Sequence, residues 1–319
     1  MVAFLCPLFA RQQCRGRSVL KPYRKVALSF ADQLRLLEAR GLTVPDRTLA
    51  LRQLSSISYY RLSAYWYPFL KRNLQGKVTG SFETGTNFSQ VVQLYEFDRH
   101  LRLLVIDAIE RVEVHIRTLV TYHLGHQYGP FGHIQPVNFH PNFDHAKWLT
   151  KLEGEALQSK DAFVEHFKSK YTGFPTLPIW MSTEVMSLGS LSFCYTGLKN
   201  QDKQHISRQL GIHHKRLKDW LHTLTYVRNI CAHHSRLWNR ELAIKPEKVR
   251  DPAWNSPITP RHDRLFYVLL ILRVLLRSNH NGNQWAESCN DLLDTFASEE
   301  RYRTAMGMPS DWKFHPLWI

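Results

Sequence analysis

One segment limits the fold before any other is considered. Ser89 opens the run QVVQLYEFDRHLRLLVIDAIERVEVHIRTLVTYHLG, which ends at Gly125. Its apolar residues Leu94, Phe97, Leu101, Leu104, Ile109, Val112, Ile116 and Leu119 recur mostly three or four positions apart. That is the period of one face of an α-helix. Nothing elsewhere alternates with period two for more than a few residues, and there is neither an internal repeat nor a low-complexity tract. The expected class is all-α.

The rest of the chain reads as shorter helices between polar stops. Ser29 caps FADQLRLLEAR, and Gly41 directly after Arg40 stops it. Asp46 caps a second helix through RTLALRQL, and the aromatic run SYYRLSAYWYPF (Ser58–Phe69) is predicted helical as far as Pro68. Residues 71–87 are polar and contain glycine, so they form a loop or a small hairpin. Residues 127–144 read as an ordered loop. Helices are then predicted at Ala146–Lys170, Ile179–Leu198, Asp202–Leu210, His213–His234, Arg261–Ser278 and Trp285–Phe296. The expected divisions are a basic arm (1–28), an N-terminal helical region (29–86), a helical core (87–282) and a C-terminal helical extension (283–319).

Composition narrows the partners. The 319 residues are 44% hydrophobic, too apolar for a disordered chain. Lys and Arg number 42 against 27 Asp and Glu, a formal charge of +15 that favours a polyanion, most often nucleic acid. Residues 1–31 contribute six of those cations and no acid. The five cysteines (Cys6, Cys14, Cys194, Cys231, Cys289) are scattered and form no CxxC pair, which points to a reduced, cytoplasmic setting without a disulfide framework. The start MVAFLCPLFARQQCRGRS has its charges after a short apolar run, the reverse of an export signal; an unstructured tail or a misassigned start fits it instead. The longest apolar run, LFYVLLILRVLL, is too short for a bilayer and carries Arg273, so a buried helix is expected and no membrane association.

The densest chemistry lies in YVRNICAHHSRLWNR (Tyr226–Arg240). On a helix Asn229 and His233 share a face, and the long side chain of Arg228 can curl towards them. An imidazole moves protons at neutral pH, an amide can fix its tautomer, and a guanidinium holds phosphate oxygens through a planar fork. Arg228, Asn229 and His233 are therefore candidate catalytic residues for metal-free RNA cleavage. His233 would help deprotonate the 2′-hydroxyl or protonate the leaving oxygen, and DNA would be spared. The bland alternative is a basic helix end with its histidines satisfied. If the helix continues, Asn229, His233, Arg236 and Arg240 fall on one stripe, and His234, Arg236 and Arg240 become candidate RNA contacts; the competing reading is a solvated end that suits the helix dipole.

The motif RNICAH fits the Arg-x4-His motif of the HEPN superfamily, many of whose members are metal-independent ribonucleases. With ISYYRLSAYWYPF, YEFDRHLRLLVIDAIERVEVHIRT, PIWMSTEVMSLGSLSFCY and MGMPSDWKFHPLW, the extended RNICAHHSRLWNR resembles the Abi-like family of bacterial abortive-infection proteins, the AbiD/AbiF group. These blocks run from Ile57 to Trp318; the basic arm carries none of the resemblance. It implies a HEPN-type helical bundle core with added helices, a role in phage defence, and RNA as substrate or partner. Relatives of the AbiF type are linked to a small non-coding RNA. HEPN nucleases generally build their site across a two-fold, so the resemblance also implies a homodimer in which each copy supplies Arg228, Asn229 and His233.

Further candidates are less specific. Glu110, Glu113 and Arg117 follow at i, i+3 and i+7; Glu113–Arg117 is most simply an intrahelical ion pair, although either carboxylate can support Arg228 if the helices meet. Arg117 and His123 make a looser Arg-x5-His, with the two residues on different faces. Lys215, Arg216 and Lys218 in HHKRLKDW form a candidate phosphate patch. Aromatics at the density of SYYRLSAYWYPF favour packing over base stacking, with Arg61 the RNA contact. There is no HExxH, no Cys/His quartet and no convergent carboxylate set, so no metal and no cofactor is expected. The leading expectation is an RNA-binding, metal-independent endoribonuclease. Its competitors are a non-catalytic HEPN scaffold that forms a ribonucleoprotein with a small structured non-coding RNA, and a toxin-like protein acting through a protein partner.

Overall fold

A computed structural model describes residues 22–23, 25–256, 259–277 and 282–318. The expected basic arm, 1–28, thus lies largely outside the described residues. Among those described there are fourteen α-helices and a single two-stranded sheet, and the fold is all-α. The chain divides into two compact units, Met1–Arg99 and His100–Ile319.

In the first unit, α1 (Phe30–Ala39) starts where the Ser29 hydroxyl accepts from the Asp32 amide, and α2 (Arg47–Ile57) where Asp46 accepts from Leu49. Each side-chain oxygen satisfies one of the amides a helix start leaves unpaired. Ser58, at φ 73°, ends α2 and caps α3 (Tyr59–Trp66), a one-residue joint that bends the chain without a loop. The aromatic run packs inward in part: Phe69 is buried, while Tyr60 is 66% exposed. Tyr65 and Trp66 are buried as well, and the Tyr65 hydroxyl donates to buried Asp98 at 2.7 Å. Residues 71–87 form a hairpin of β1 (Leu70–Arg72) and β2 (Val78–Phe82), paired antiparallel with Leu70 opposite Phe82.

The periodic segment is a single helix, α4 (Phe88–Tyr128), longer at its end than expected. Gly125 does not stop it. The helix runs to Gly129, which takes φ 75° and donates its amide back to the Gly125 carbonyl. A Cβ at Gly125 would meet the Ile179 side chain at 3.6 Å, ordinary packing distance, so the glycine marks a close neighbour here rather than a terminus.

Two long predicted helices are each broken in two. Between α5 (His145–Gln158) and α6 (Ala162–Lys170) the Ser159 hydroxyl bonds the Asp161 carboxylate and accepts from its amide. Between α7 (Ile179–Val185) and α8 (Leu188–Gly197) Ser187 caps the second piece, accepting from the Ser190 amide. Both breaks arise from short polar side chains that offer the backbone a local alternative to the helix. Next come α9 (Asn200–Arg208) and α10 (His214–Ala232), which pack together, with α8 also against α10. A short α11 (Pro252–Asn255) leads to α12 (Leu265–Leu276).

The apolar run of the sequence is α12, buried on all sides, each large side chain contributing roughly 1.5–3 kcal/mol. Its Arg273 is nearly buried and donates to the Trp318 carbonyl at 3.3 Å and to Asn283 at 3.0 Å. Helices α13 (Gly282–Ala297) and α14 (Glu300–Met306) follow, the latter not foreseen. Beyond them Trp312, His315 and Trp318 lie against Phe266 of α12. Among the described residues no helix is long and apolar enough to cross a membrane.

Candidate nucleic-acid interface along helix α10

Helix α10 is two-faced. Leu217, Trp220, Leu221, Leu224, Val227, Ile230 and Cys231 are buried, while Lys218, His222, Arg228 and Asn229 are exposed. Lys218, His222, Thr225 and Asn229 recur at four- and three-residue steps and share one face, which ends at His233.

The helix stops sooner than its sequence suggests, at Ala232. His233 caps it, and His234 adopts a left-handed φ of 54°. The His234 amide donates to the Cys231 carbonyl and the Ser235 amide to that of Ile230, both at 3.0 Å. These are the paired bonds of a Schellman turn, built on a histidine where glycine is usual. Burial explains the turn. Another helical turn would carry Leu237 onto the exposed face of His233, four residues on. The turn instead buries Leu237 and Trp238, and sets the Trp238 ring 5.7 Å from Tyr302.

The stripe Asn229–His233–Arg236–Arg240 accordingly does not form. Arg236 is only 9% exposed, and half-buried Arg240 donates from Nε to the Arg236 carbonyl at 2.9 Å. Arg228, Asn229, His233 and His234 remain exposed at the helix end. Arg228 Nη1 lies 3.5 Å from Asn229 Oδ1, a bond at the limit of useful length. No side-chain hydrogen bond joins Asn229 to His233, and among the described residues no carboxylate pairs with Arg228 or His233.

The supporting residues are engaged elsewhere. Glu113 binds Arg117 at 2.6 Å, and Arg117 also donates to the Met186 carbonyl at 3.1 Å, which holds the α7–α8 break. Glu110 is exposed and makes no ion pair to Arg228 among the described residues. Arg61 belongs to the first unit, half-buried on α3.

At the other end of α10 opens a groove of about 690 Å³, lined by α8 residues Ser192, Phe193 and Thr196, by Asn200 and Lys203, and by Lys215, Lys218 and His222 of α10. An adjoining recess of about 440 Å³ shares Lys215 and adds Arg216, Lys248 and Arg250. The segment bearing Lys248 is fixed from both sides. The Glu247 amide donates to Asp219 on α10, and the Val249 amide to the Tyr267 hydroxyl on α12, each at 2.9 Å. Asp219 and Glu247 border the groove as carboxylates, and burial pushes the Asp219 carboxyl above its ordinary range. Lys203 is only 7% exposed and donates to the Thr196 carbonyl at 3.2 Å. Burial, and then the charge of Lys218, push its pKa down against the opposing pull of the Asp202 carboxylate.

Sequence reasoning found Lys215, Arg216 and Lys218 of this groove and its recess. It missed Lys203, Phe193, His222, Lys248 and Arg250. The basic run KPEKVR was the one available signal, since the others come from three separate elements.

The His213 and His214 rings sit 4.4 Å apart, and no group of three or more His, Cys, Asp or Glu side chains suited to a metal occurs among the described residues. The three described cysteines are free and buried.

Taken together, this is an all-α protein whose two candidate anion-handling features lie at opposite ends of one helix. The family model described as Abi-like protein matches residues 52–239, more than half of the chain, including the Arg228–His233 segment and most of the groove. The chain belongs to the Abi-like family and is an abortive-infection-type protein of antiviral defence. No curated protein and no solved structure matches it.

Proposed function

We propose that this protein acts in bacterial phage defence by binding RNA and cutting it as a metal-independent HEPN-type endoribonuclease. The observation that carries the reading is the exposed Arg228–Asn229–His233 set, which no carboxylate neutralises among the described residues. An imidazole in solvent can take the proton of a ribose 2′-hydroxyl or return one to the leaving 5′-oxygen. The alkoxide then attacks the adjacent phosphorus, the P–O5′ bond breaks, and a 2′,3′-cyclic phosphate and a 5′-hydroxyl result. Arg228 stabilises the charge that grows on the phosphoryl oxygens. The lone set supplies one imidazole where the reaction needs a base and an acid. A homodimer that brings two copies of Arg228, Asn229 and His233 together provides both.

A second reading has its own support. Nothing among the described residues orients the His233 ring, as a scaffold that merely holds a small structured non-coding RNA would allow. Purification without nuclease treatment, followed by sequencing of the copurifying RNA, separates the two. Fragments ending in 2′,3′-cyclic phosphate with wild type, and none with His233→Ala, are expected. One intact RNA bound equally by both proteins would establish the scaffold, and no RNA with either would send the search to a protein partner.

A further inference from the structure

The side chain hardest to explain in the second unit is Lys203. It is more than nine-tenths buried, yet among the described residues no carboxylate lies within ion-pair distance of it, its hydrogen bond goes to the Thr196 carbonyl, and the charge of Asp202 offsets its burial only in part. Buried ammonium groups are ordinarily matched by an anion. Its neighbour Asp202 is taken, accepting from Tyr128 at 2.9 Å and meeting His123 at 2.7 Å. Across the groove and its recess, Lys203, Lys215, Lys218, Arg216, Lys248 and Arg250 face two carboxylates, and none of the six is in an ion pair among the described residues. Repulsion among these cations, and the burial of one, is what an incoming phosphate relieves.

The same groove holds a flat apolar surface. The Phe193 ring is 37% exposed, far more than a core phenylalanine needs. It is braced from behind by Phe143, ring centroids 5.0 Å apart. That brace depends on Gly197, where a Cβ would fall 2.5 Å from the Phe143 ring. A fixed, half-exposed ring beside cations that make no ion pair among the described residues is the combination that holds an unstacked base and its phosphate. The volume is within the range that accommodates a nucleotide-sized ligand. Out of the groove, Lys218, His222, Thr225 and Asn229 lead down one face of α10 towards His233, fifteen residues and roughly 22 Å beyond Lys218.

We propose that this groove anchors single-stranded RNA, one phosphate held by Lys203, Lys215 and Lys218 and its base stacked on Phe193, with the strand running along α10 to Arg228 and His233. The proposal rests on the reading of the protein as one that acts on RNA, and it adds where the strand is gripped. The carboxylates of Asp219 and Glu247, which also border the groove, can accept from base amino groups.

Binding is measured with labelled oligoribonucleotides of about 12 nucleotides, a length within the ~4–16 that single-strand sites span. The protein is the full chain carrying His233→Ala, so that cleavage does not intervene. Phe193→Leu is expected to weaken binding roughly 5- to 100-fold, the range of a lost base stack. Lys203→Met and the surface change Lys218→Gln are each expected to weaken it about tenfold and to lower the salt slope by about 0.7 per phosphate contact. Lys218→Gln keeps the test decisive should the buried change unfold the protein. Unchanged affinity in Phe193→Leu and Lys218→Gln overturns the proposal. So does a free ribonucleoside monophosphate that competes as strongly as the oligonucleotide, because the groove then serves a small molecule. If the oligonucleotide binds through these residues but wild type never cuts it, the groove stands and the nuclease reading falls. If wild type cuts it with no dependence on Phe193 or Lys218, the reverse holds.

Discussion

Two pairs of residues in the second unit look alike in sequence and differ entirely in space. Arg117 and His123 are six apart on α4, and Arg228 and His233 five apart at the end of α10. Arg117 is nearly buried against Glu113 and the Met186 carbonyl. His123 meets Asp202, which also accepts from Tyr128, and its ring stacks 4.6 Å from that of His205. Burial and the Asp202 carboxylate push the Tyr128 hydroxyl up to about 12, so it remains a hydrogen-bond donor to that carboxylate. Each member of the first pair meets a carboxylate; among the described residues neither member of the second does. Availability for chemistry is therefore decided by what surrounds an arginine and a histidine, and spacing alone is silent about it.

The largest expected effect sharpens this contrast at the open pair. His233→Ala is expected to slow RNA cleavage by roughly 10²–10⁴-fold while leaving the unfolding midpoint unchanged, because the exposed ring makes no hydrogen bond or ion pair among the described residues. A large drop in stability would place His233 with the matched pair instead. At the closed pair the expectation is inverted. Asp202→Ala removes the acceptor shared by the partly buried Tyr128 hydroxyl and His123 and should cost about 1–3 kcal/mol of stability in urea unfolding. Cleavage per folded molecule should survive; its loss in a folded variant would show that the Asp202 network is part of the chemistry.

A third histidine extends the comparison to pH. His133 is buried, with its Nε2 3.3 Å from the Ser182 hydroxyl. Burial, with His145 close by, pulls its pKa down from 6.5 to about 4. The unfolded chain takes up that proton first. The stabilisation is thus complete above pH 6.5 and is lost as pH falls through the window down to about 4. The loss should reach up to about 3 kcal/mol, and it should shrink in His133→Gln, read from unfolding midpoints across that window. The smallest effect concerns the turn that ends α10. His234→Gly should be tolerated, whereas His234→Val should lower stability by about 1–2 kcal/mol, since a branched Cβ fits poorly at positive φ. Equal melting temperatures for the two would mean that the left-handed residue is unimportant.

Much of the fold was legible because it depends on neighbours in sequence. Ser29 and Asp46 announce their helices by local capping, and α4 by its period. The breaks at Ser159–Asp161 and Met186–Ser187 were not legible, because the flanking apolar period carries across them. The early end of α10 was hidden for another reason: it follows from the burial of Leu237 and Trp238, a tertiary demand that no local pattern states. The site divides in the same way. Arg228, Asn229 and His233 stand in one short motif, but Phe193, Lys203 and Lys218 meet only after three elements have packed. Lys203 in particular sits in an ordinary polar stretch, QDKQH, and nothing in that stretch signals its burial.

The all-round burial of α12 has a consequence for how the chain is made. Leu265–Leu276 leaves the ribosome before Trp285, Trp312 and Trp318, so its outer surface waits uncovered while they are being synthesised. In that interval it is the stretch most prone to self-association, and Arg273 is the one charge that interrupts it. A chain halted after Arg277 keeps that surface bare.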